Sequence, residues 1–124
     1  MKTKIVLITL TLTLFIFGCK KENLQSINQF KFTSITGNKT GTTGTILMGW
    51  KDAKNTSWKI KVINPDGTVR LNTNWDSPQM QITNLGLDST YAFSVTGVKD
   101  TTQGGSFNAR IGTMGDVMIG EQKP

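Results

Sequence analysis

The feature that most constrains the fold is the alternation of apolar and polar residues in short runs. In the clearest run, Trp58-Lys59-Ile60-Lys61-Val62, every second side chain is apolar and the two between them are lysines. A period of two puts alternate side chains on opposite faces of a β-strand, whereas a helical stripe needs a period of about 3.6. The run therefore predicts a strand with one buried face and one lysine-bearing face.

Six further runs are strand-like, and turn residues separate them. Asn64-Pro65-Asp66-Gly67 is the clearest turn, because proline fixes φ and glycine permits a positive φ. The predicted strands are 30–35, 45–50, 58–62, 68–71, 80–82, 91–95 and 107–111, with loops at 37–44, 73–79 and 99–105. Seven short strands in about 90 residues, with no helical pattern among them, predict an all-β, seven-stranded antiparallel β-sandwich. A small closed barrel is the alternative.

The segment 82–98, ITNLGLDSTYAFSVTGV, resembles the fibronectin type III family around its fifth and sixth strands. In that family an inward Leu lies six residues before a Tyr that opens the next strand, as Leu85 does before Tyr91. The resemblance implies a tyrosine corner, in which the Tyr hydroxyl bonds back to the backbone near the turn. It also implies a buried Trp at the end of the second strand, where Trp50 stands. The resemblance covers residues 29–114 and implies an immunoglobulin-like core that includes Trp50, Trp58, Leu85, Tyr91 and Phe93.

The first residues have the pattern of a secretory signal. Met1-Lys2-Thr3-Lys4 is basic, residues 5–17 are almost entirely apolar, and a small residue precedes Cys19. The apolar stretch is shorter than the roughly 20 residues of a membrane-spanning helix. Ile16-Phe17-Gly18-Cys19 resembles the lipobox of bacterial lipoproteins, which implies removal of residues 1–18 and acylation of Cys19. The alternative is an ordinary signal peptide followed by a free thiol.

The segment after Cys19 predicts where the domain lies. Lys20-Lys21-Glu22 resembles the surface-export tag of Bacteroidota lipoproteins, with a solvated linker as the equal alternative. Residues 19–28 then form the lipidated Cys and a flexible tether, 29–114 the domain, and 115–124 a C-terminal tail. A tether of about 10 residues reaches roughly 17 Å, so the domain would stay near the membrane. The predicted location is the bacterial outer membrane, lipid-anchored on its periplasmic face or at the cell surface.

The composition excludes several kinds of chemistry. The chain has no His, which removes the usual general base, the commonest metal ligand and the Ser-His-Asp arrangement. Its 14 Lys and Arg exceed its 8 Asp and Glu, but no basic run is interleaved with aromatic residues, so nucleic acid is not an expected partner. The aspartates lie beside turn residues, which favours turn formation over a carboxylate pair for glycoside hydrolysis. We expect a non-enzyme with no cofactor and no metal, and the oligomeric state is not predicted.

Fibronectin-like strand order would bring the loops 51–57, 73–79 and 99–105 to one end of the sandwich, together with the start of the first strand. There Trp75, between Asn and Asp, would stack on a sugar ring or anchor a protein contact, or would simply cover the rim. The candidate ligand-binding residues are Lys51, Asp52, Asn55, Trp75, Asp76, Lys99, Asp100 and Gln103. The expected function is a membrane-anchored, non-catalytic binding or adhesion module for a protein or glycan. The alternative is a structural subunit of an envelope complex that pairs through an edge strand, for which 30–35 is the candidate.

Overall fold

The computed structural model describes residues 29–123, so the predicted signal peptide, Cys19 and the tether through residue 28 lie outside the described residues. The described part is all-β. Its strands are β1 Lys31–Thr40, β2 Thr43–Lys51, β3 Trp58–Ile63, β4 Val69–Trp75, β5 Gln79–Gly86, β6 Thr90–Gly97, β7 Gly104–Ile111 and β8 Val117–Ile119. They form two antiparallel sheets, one in the order β1-β2-β5 and one in the order β4-β3-β6-β7-β8. The predicted all-β sandwich is confirmed, and residues 29–123 contain no helix able to cross a membrane.

The core lies between the two sheets and follows the period-two pattern. In β3, Trp58, Ile60 and Val62 are buried while the two lysines between them are exposed. Phe93 and Phe107 stack across β6 and β7 with their ring centroids 4.9 Å apart. Each fully buried large apolar side chain contributes about 1.5–3 kcal/mol relative to an exposed one. The core residues expected from the sequence, Trp50, Trp58, Leu85, Tyr91 and Phe93, are all buried.

Two of the predicted loops are shorter in the structure than in the prediction. The predicted loop 37–44 is mostly strand, because β1 continues to Thr40 and β2 begins at Thr43. The remaining two-residue turn has Gly41 at a φ of 64°, as the first central position of a type II′ hairpin turn requires. The predicted loop 73–79 shortens to 76–78 between β4 and β5 in the same way. Cross-strand pairing and threonine's preference for strands outweigh the glycines of 37–44 and the polar composition of 73–79.

The strand count of seven is wrong by one, because β8 lies in the segment 115–124 that was predicted to be a tail. Ile119 pairs with Ala109 and Val117 with Ile111, so β8 covers part of the β7 edge. Farther along, the backbones of Ser106 and Lys123 exchange hydrogen bonds at 2.7 and 2.8 Å. A three-residue strand is too short for a visible alternation, and its pairing with β7 determines its conformation.

The end of the sandwich that holds the β5–β6 turn is closed by a tyrosine. Gly86 N donates to the Tyr91 hydroxyl at 2.8 Å, which is the hydrogen bond of a tyrosine corner. Arg70 donates from Nη2 to the carbonyl oxygen of Asn84 at 2.7 Å, and its guanidinium carbon lies 5.7 Å from the centre of the Tyr91 ring. The arginine therefore links β4 of one sheet to β5 of the other.

Candidate functional site

Three loops meet at the end of the sandwich opposite to the tyrosine corner. We call this surface the loop end and define it as residues 51–57, 75–79 and 98–103. Ser57 Oγ donates to Asp76 Oδ1 at 2.9 Å, which joins the first loop to the second. Asn55 Nδ2 donates to the Asp100 carbonyl oxygen at 3.2 Å, which joins the first loop to the third. The structure thus brings together the three loops that the sequence placed at one end.

Asn55 holds the centre of the loop end. Its side chain is buried, with 6% exposed, and its Oδ1 accepts from the backbone N–H groups of Lys99 at 3.0 Å and Asp100 at 2.8 Å. Its Nδ2 donates to Asp52 Oδ2 at 2.7 Å as well as to the Asp100 carbonyl. Both donors and both acceptor positions of the amide are therefore used. Asn55 was expected to contact a ligand, but it fastens one loop to another.

Asp52 fastens the same loop to the core. Its carboxylate accepts from Lys54 N at 2.9 Å, from Asn55 Nδ2 and from the buried Trp58 Nε1 at 3.0 Å. Gln103 plays a similar part at the start of the domain, since its Oε1 accepts from Phe30 N at 2.8 Å in a buried position. This bond also places the start of β1 at the loop end, as the sequence indicated. Both side chains are engaged in hydrogen bonds within the domain.

The aspartates with shifted pKa values are turn acceptors. The hydroxyl and backbone N–H of Thr102 hold the pKa of the Asp100 carboxyl below its ordinary value, with a smaller contribution from the Lys54 ammonium 4.0 Å away. Thr68 lowers the pKa of Asp66 in the same way, again from two positions along the chain. A general acid needs the opposite shift, because burial or a neighbouring charge must keep it protonated near neutral pH. These carboxylates are arranged to stay ionised within their turns.

The side chains that remain accessible at the loop end are Trp75 and several charged residues. Trp75 is the last residue of β4 rather than a loop residue, and it lies opposite Trp58 in the strand register. Its Nε1 donates to the Gln79 carbonyl oxygen at 2.7 Å, which fixes the ring across the β4–β5 turn while 39% of the residue stays exposed. The exposed charged residues around it are Lys51, Lys54, Asp76 and Lys99.

The loop end also has a shallow depression beside the start of β1. It has a volume of about 400 Å³ and is lined by Gln29, Phe30, Thr102, Gln103 and Gly104. Among residues 29–123, no three acidic or sulfur side chains gather in a way that could hold a metal ion. The chemistry available in this depression is hydrogen bonding by hydroxyl, amide and backbone groups.

Several residues of the loop end were not expected from the sequence. The bond from Trp58 to Asp52 and the contacts of Asn55 with residues 99 and 100 depend on tertiary folding and leave no local pattern. The role of Thr102 did have a signal, because Asp66-Gly67-Thr68 and Asp100-Thr101-Thr102 share the spacing Asp-x-Thr. Short polar side chains at this spacing commonly bond to the backbone two residues on.

Together these observations define an antiparallel all-β domain with one end locked by side-chain hydrogen bonds and an exposed, fixed indole at its rim. Comparison with protein-family models, with curated protein sequences and with solved structures finds no match for this chain.

Proposed function

We propose that the chain is a lipid-anchored cell-envelope lipoprotein whose fibronectin type III-like domain is a non-catalytic binding or adhesion module for a protein or glycan. The observation that carries this proposal is the loop end, where hydrogen bonds of buried Asn55, of Asp52 and of Ser57 hold three loops in one arrangement. A surface that is ordered before binding loses less conformational entropy when a ligand arrives. Trp75, fixed through its Nε1 and partly exposed, supplies the kind of aromatic contact that stacks on sugars or anchors proteins.

Three features of the fold support the fibronectin-like assignment. The seven longer strands divide between the sheets as β1-β2-β5 and β4-β3-β6-β7. The Tyr91 hydroxyl accepts from Gly86 N, and Trp50 is buried at the end of β2. Sandwiches of this architecture serve many functions, so it is the loop end and not the fold that supports a binding role.

The lipobox around Cys19 supports the anchor. Because Gln103 holds Phe30 N at the loop end, the tether would join the domain there, and the loop end would lie on the membrane side. A ligand of this surface would then be an envelope component close to the bilayer. Metabolic lipid labelling of wild type and Cys19→Ala, with protease treatment of intact cells, tests the anchor and its location. We expect labelling of wild type alone, and an unlabelled wild-type protein would remove the anchor from the proposal.

The binding role is tested by comparing Trp75→Ala with Val69→Ala. Both residues are exposed on β4, but Val69 lies at the far end of the strand from the loops. Wild type is applied to a glycan array and cross-linked to partners in envelope membranes, and each ligand found is then titrated against the variants. We expect Trp75→Ala to weaken binding about tenfold, as for a central aromatic contact, and Val69→Ala to change it little. Wild type that binds nothing in either assay would refute the proposal.

A second function, that of a structural subunit of an envelope complex, is favoured by the strand order. β1 is an outer strand of its sheet, as expected, so one of its backbone edges carries no strand from the described residues. A neighbour could add a strand at such an edge. At Gly37, β1 packs closely against Val117 of β8, because a Cβ on Gly37 would lie 2.6 Å from Val117 Cγ1. This contact leaves less room for an added strand along that part of β1. A strictly monomeric protein in mild-detergent extracts would argue against this function.

A further inference from the structure

The outer surface of the five-stranded sheet carries two polar rows that cross three strands. Lys59 lies between Asn74 on β4 and Thr96 on β6, and Lys61 lies between Asn72 and Ser94 on the same two strands. Residues opposite one another in an antiparallel ladder share a face, and Trp58, Ile60 and Val62 occupy the buried one. These six polar residues therefore face solvent. We call them the lysine face: Lys59, Lys61, Asn72, Asn74, Ser94 and Thr96.

The charge of the lysine face is not balanced by its neighbours. An exposed lysine in a sheet gains most from a carboxylate directly across the strand, but the cross-strand neighbours of Lys59 and Lys61 are amides and hydroxyls. The ion pairs of the described residues use Lys54 and Arg110 instead. Lys59 and Lys61 are also about 7 Å apart along β3, so their like charges repel and slightly destabilise the strand.

Protection against aggregation does not explain these lysines. Proteins often put lysine on edge strands to prevent pairing with other molecules. However, β3 lies between β4 and β6, so both of its edges are already paired. The two lysines are therefore on an interior strand, next to the edge strand β4, where they do not block an edge.

A shallow groove continues the lysine face toward the loop end. It has a volume of about 280 Å³ and lies between β6, β7 and their connecting loop. Its polar lining consists of the hydroxyls of Ser94, Thr96, Thr101, Thr102 and Ser106. Gly104 lies opposite Thr96 on this face and has no side chain, and a Cβ there would lie 2.5 Å from the Val95 carbonyl oxygen, so a side chain at this position would not fit without a shift.

We propose that the lysine face and this groove bind an acidic glycan, a chain of sugar rings that carries carboxylates or similar anionic groups. The ammonium groups of Lys59 and Lys61 would meet the anionic groups, while the hydroxyls and amides beside them would bond to the sugar hydroxyls. Within the six residues there is no apolar side chain that could insert into lipid, which favours a glycan over a membrane surface. The proposal rests on the proposed binding function and adds to the loop end a second binding surface with a stated ligand class.

The other sheet supplies a matched control. Lys31 and Lys39 are exposed on β1 of that sheet and lie outside the loop end, so Lys31→Gln/Lys39→Gln removes the same charge as Lys59→Gln/Lys61→Gln. Leu47, which is 44% exposed, lies at the centre of that sheet's outer face, between Thr36 and Gln81. A ligand that responds only to net charge would respond equally to the two double variants.

The experiment measures binding of the full-length chain in mild detergent to immobilised alginate, with dextran as the neutral glycan. We expect wild type to bind alginate and not dextran, and to bind more weakly as salt screens the lysines. Lys59→Gln/Lys61→Gln should weaken binding by about fivefold to tenfold, as for two exposed ionic contacts, and the control pair by less than about twofold. Asn72→Glu should also weaken binding while leaving the urea midpoint unchanged or higher, because it places a carboxylate opposite Lys61.

The remaining outcomes overturn the proposal in distinguishable ways. Equal losses in the two double variants would mean attraction by net charge alone. Binding to phosphatidylcholine vesicles with about one-third phosphatidylglycerol that is lost in Lys59→Gln/Lys61→Gln, with alginate binding unaffected, would assign the face to a membrane surface. Absence of alginate binding together with Trp75-dependent binding of another envelope component would refute the acidic glycan and leave the binding module standing. If the chain binds neither alginate nor another envelope component through Trp75, both proposals are refuted.

Discussion

Replacing Trp58 by phenylalanine should destabilise the domain far more than replacing Trp50 by phenylalanine. The two indoles are 4% and 3% exposed and meet edge to face, with ring centroids 5.6 Å apart. Trp58 Nε1 donates to Asp52 Oδ2 at 3.0 Å, whereas Trp50 Nε1 is buried without a hydrogen-bond partner among the described residues. Each substitution removes the same atoms, so the difference between the variants reports on the indole N–H.

The two variants differ in the sign of the hydrogen-bond contribution. The smaller ring costs about 1–2 kcal/mol of packing in either case. Trp58→Phe also loses a hydrogen bond to a carboxylate, about 1.5–3 kcal/mol, for a total loss of about 3 kcal/mol. Trp50→Phe instead removes a buried, unsatisfied donor whose desolvation costs about 1–3 kcal/mol. The two contributions nearly cancel there, and the free energy of unfolding should change by less than about 1 kcal/mol.

Urea denaturation followed by far-ultraviolet circular dichroism measures both variants. With an unchanged m value of about 1–3 kcal/mol per M, a gap of about 2 kcal/mol separates the two midpoints by roughly 1 M. Asp52→Ala completes a double-mutant cycle with Trp58→Phe, and we expect an interaction energy of about 1 kcal/mol or more. Equal midpoints for Trp50→Phe and Trp58→Phe would refute this reasoning, because they would show that the bond to Asp52 adds no stability.

Three further predictions concern the turns. Tyr91→Phe removes the acceptor of Gly86 N and should lower the free energy of unfolding by about 1 kcal/mol, measured from urea midpoints; an unchanged midpoint would contradict a stabilising tyrosine corner. Gly97→Ala should lower the melting temperature much more than Gly120→Ala, because a Cβ at Gly97 would overlap the Asn55 amide and the Asp100 carbonyl, whereas one at Gly120 meets Asn108 O at 3.4 Å. Equal melting temperatures would show that the loops shift freely. Hydrogen bonds from Thr68, Thr113 and Thr102 hold the pKa values of Asp66, Asp88 and Asp100 below their ordinary value. Their folded-state pKa values lie below the unfolded ones, so the stability they add is present above about pH 4 and is lost as the pH falls through the folded-state values. Urea midpoints should therefore decline on acidification, less steeply in Asp100→Asn than in wild type, and parallel declines would contradict this role for Asp100.

The fold was predictable where the two faces of a strand differ in polarity. For β3 the sequence predicted 58–62 and the structure has Trp58–Ile63. The agreement is close because one face of this strand is buried and the other is in solvent, so each position requires either an apolar or a polar residue. The ends of β1 and β2 were not predictable, since Gly37 and Gly44 are placed in strands by close packing against Val117 and Ile111. Such contacts arise only when β7 and β8 are already in position. Local composition cannot show them.

The sequence predicted where the candidate site lies but not what its individual residues do. Strand order brought the three loops together, yet Asn55 and Gln103, chosen as polar loop residues, are buried and bonded to backbone N–H groups. A polar residue in a loop has the same appearance in sequence whether it meets a ligand or fastens the loop. The difference depends on partners 44 to 73 residues away along the chain. Trp75 is partly exposed, and its hydrogen bond to the Gln79 carbonyl oxygen on β5 determines the orientation of its ring.

Negative and positive charges occupy different parts of the domain. In residues 29–123, the strands contain no Asp or Glu, and their charged residues are Lys31, Lys39, Lys51, Lys59, Lys61, Arg70 and Arg110. The aspartates lie in the turns, where Asp52, Asp66, Asp88 and Asp100 are occupied by nearby N–H and hydroxyl donors. The carboxylates therefore accept hydrogen bonds in the turns, and the cations on the sheet faces have no acidic partner on the strands. Lys59 and Lys61 stand on a paired interior strand, where they neither block an edge nor form a cross-strand ion pair, and the proposed glycan explains their placement.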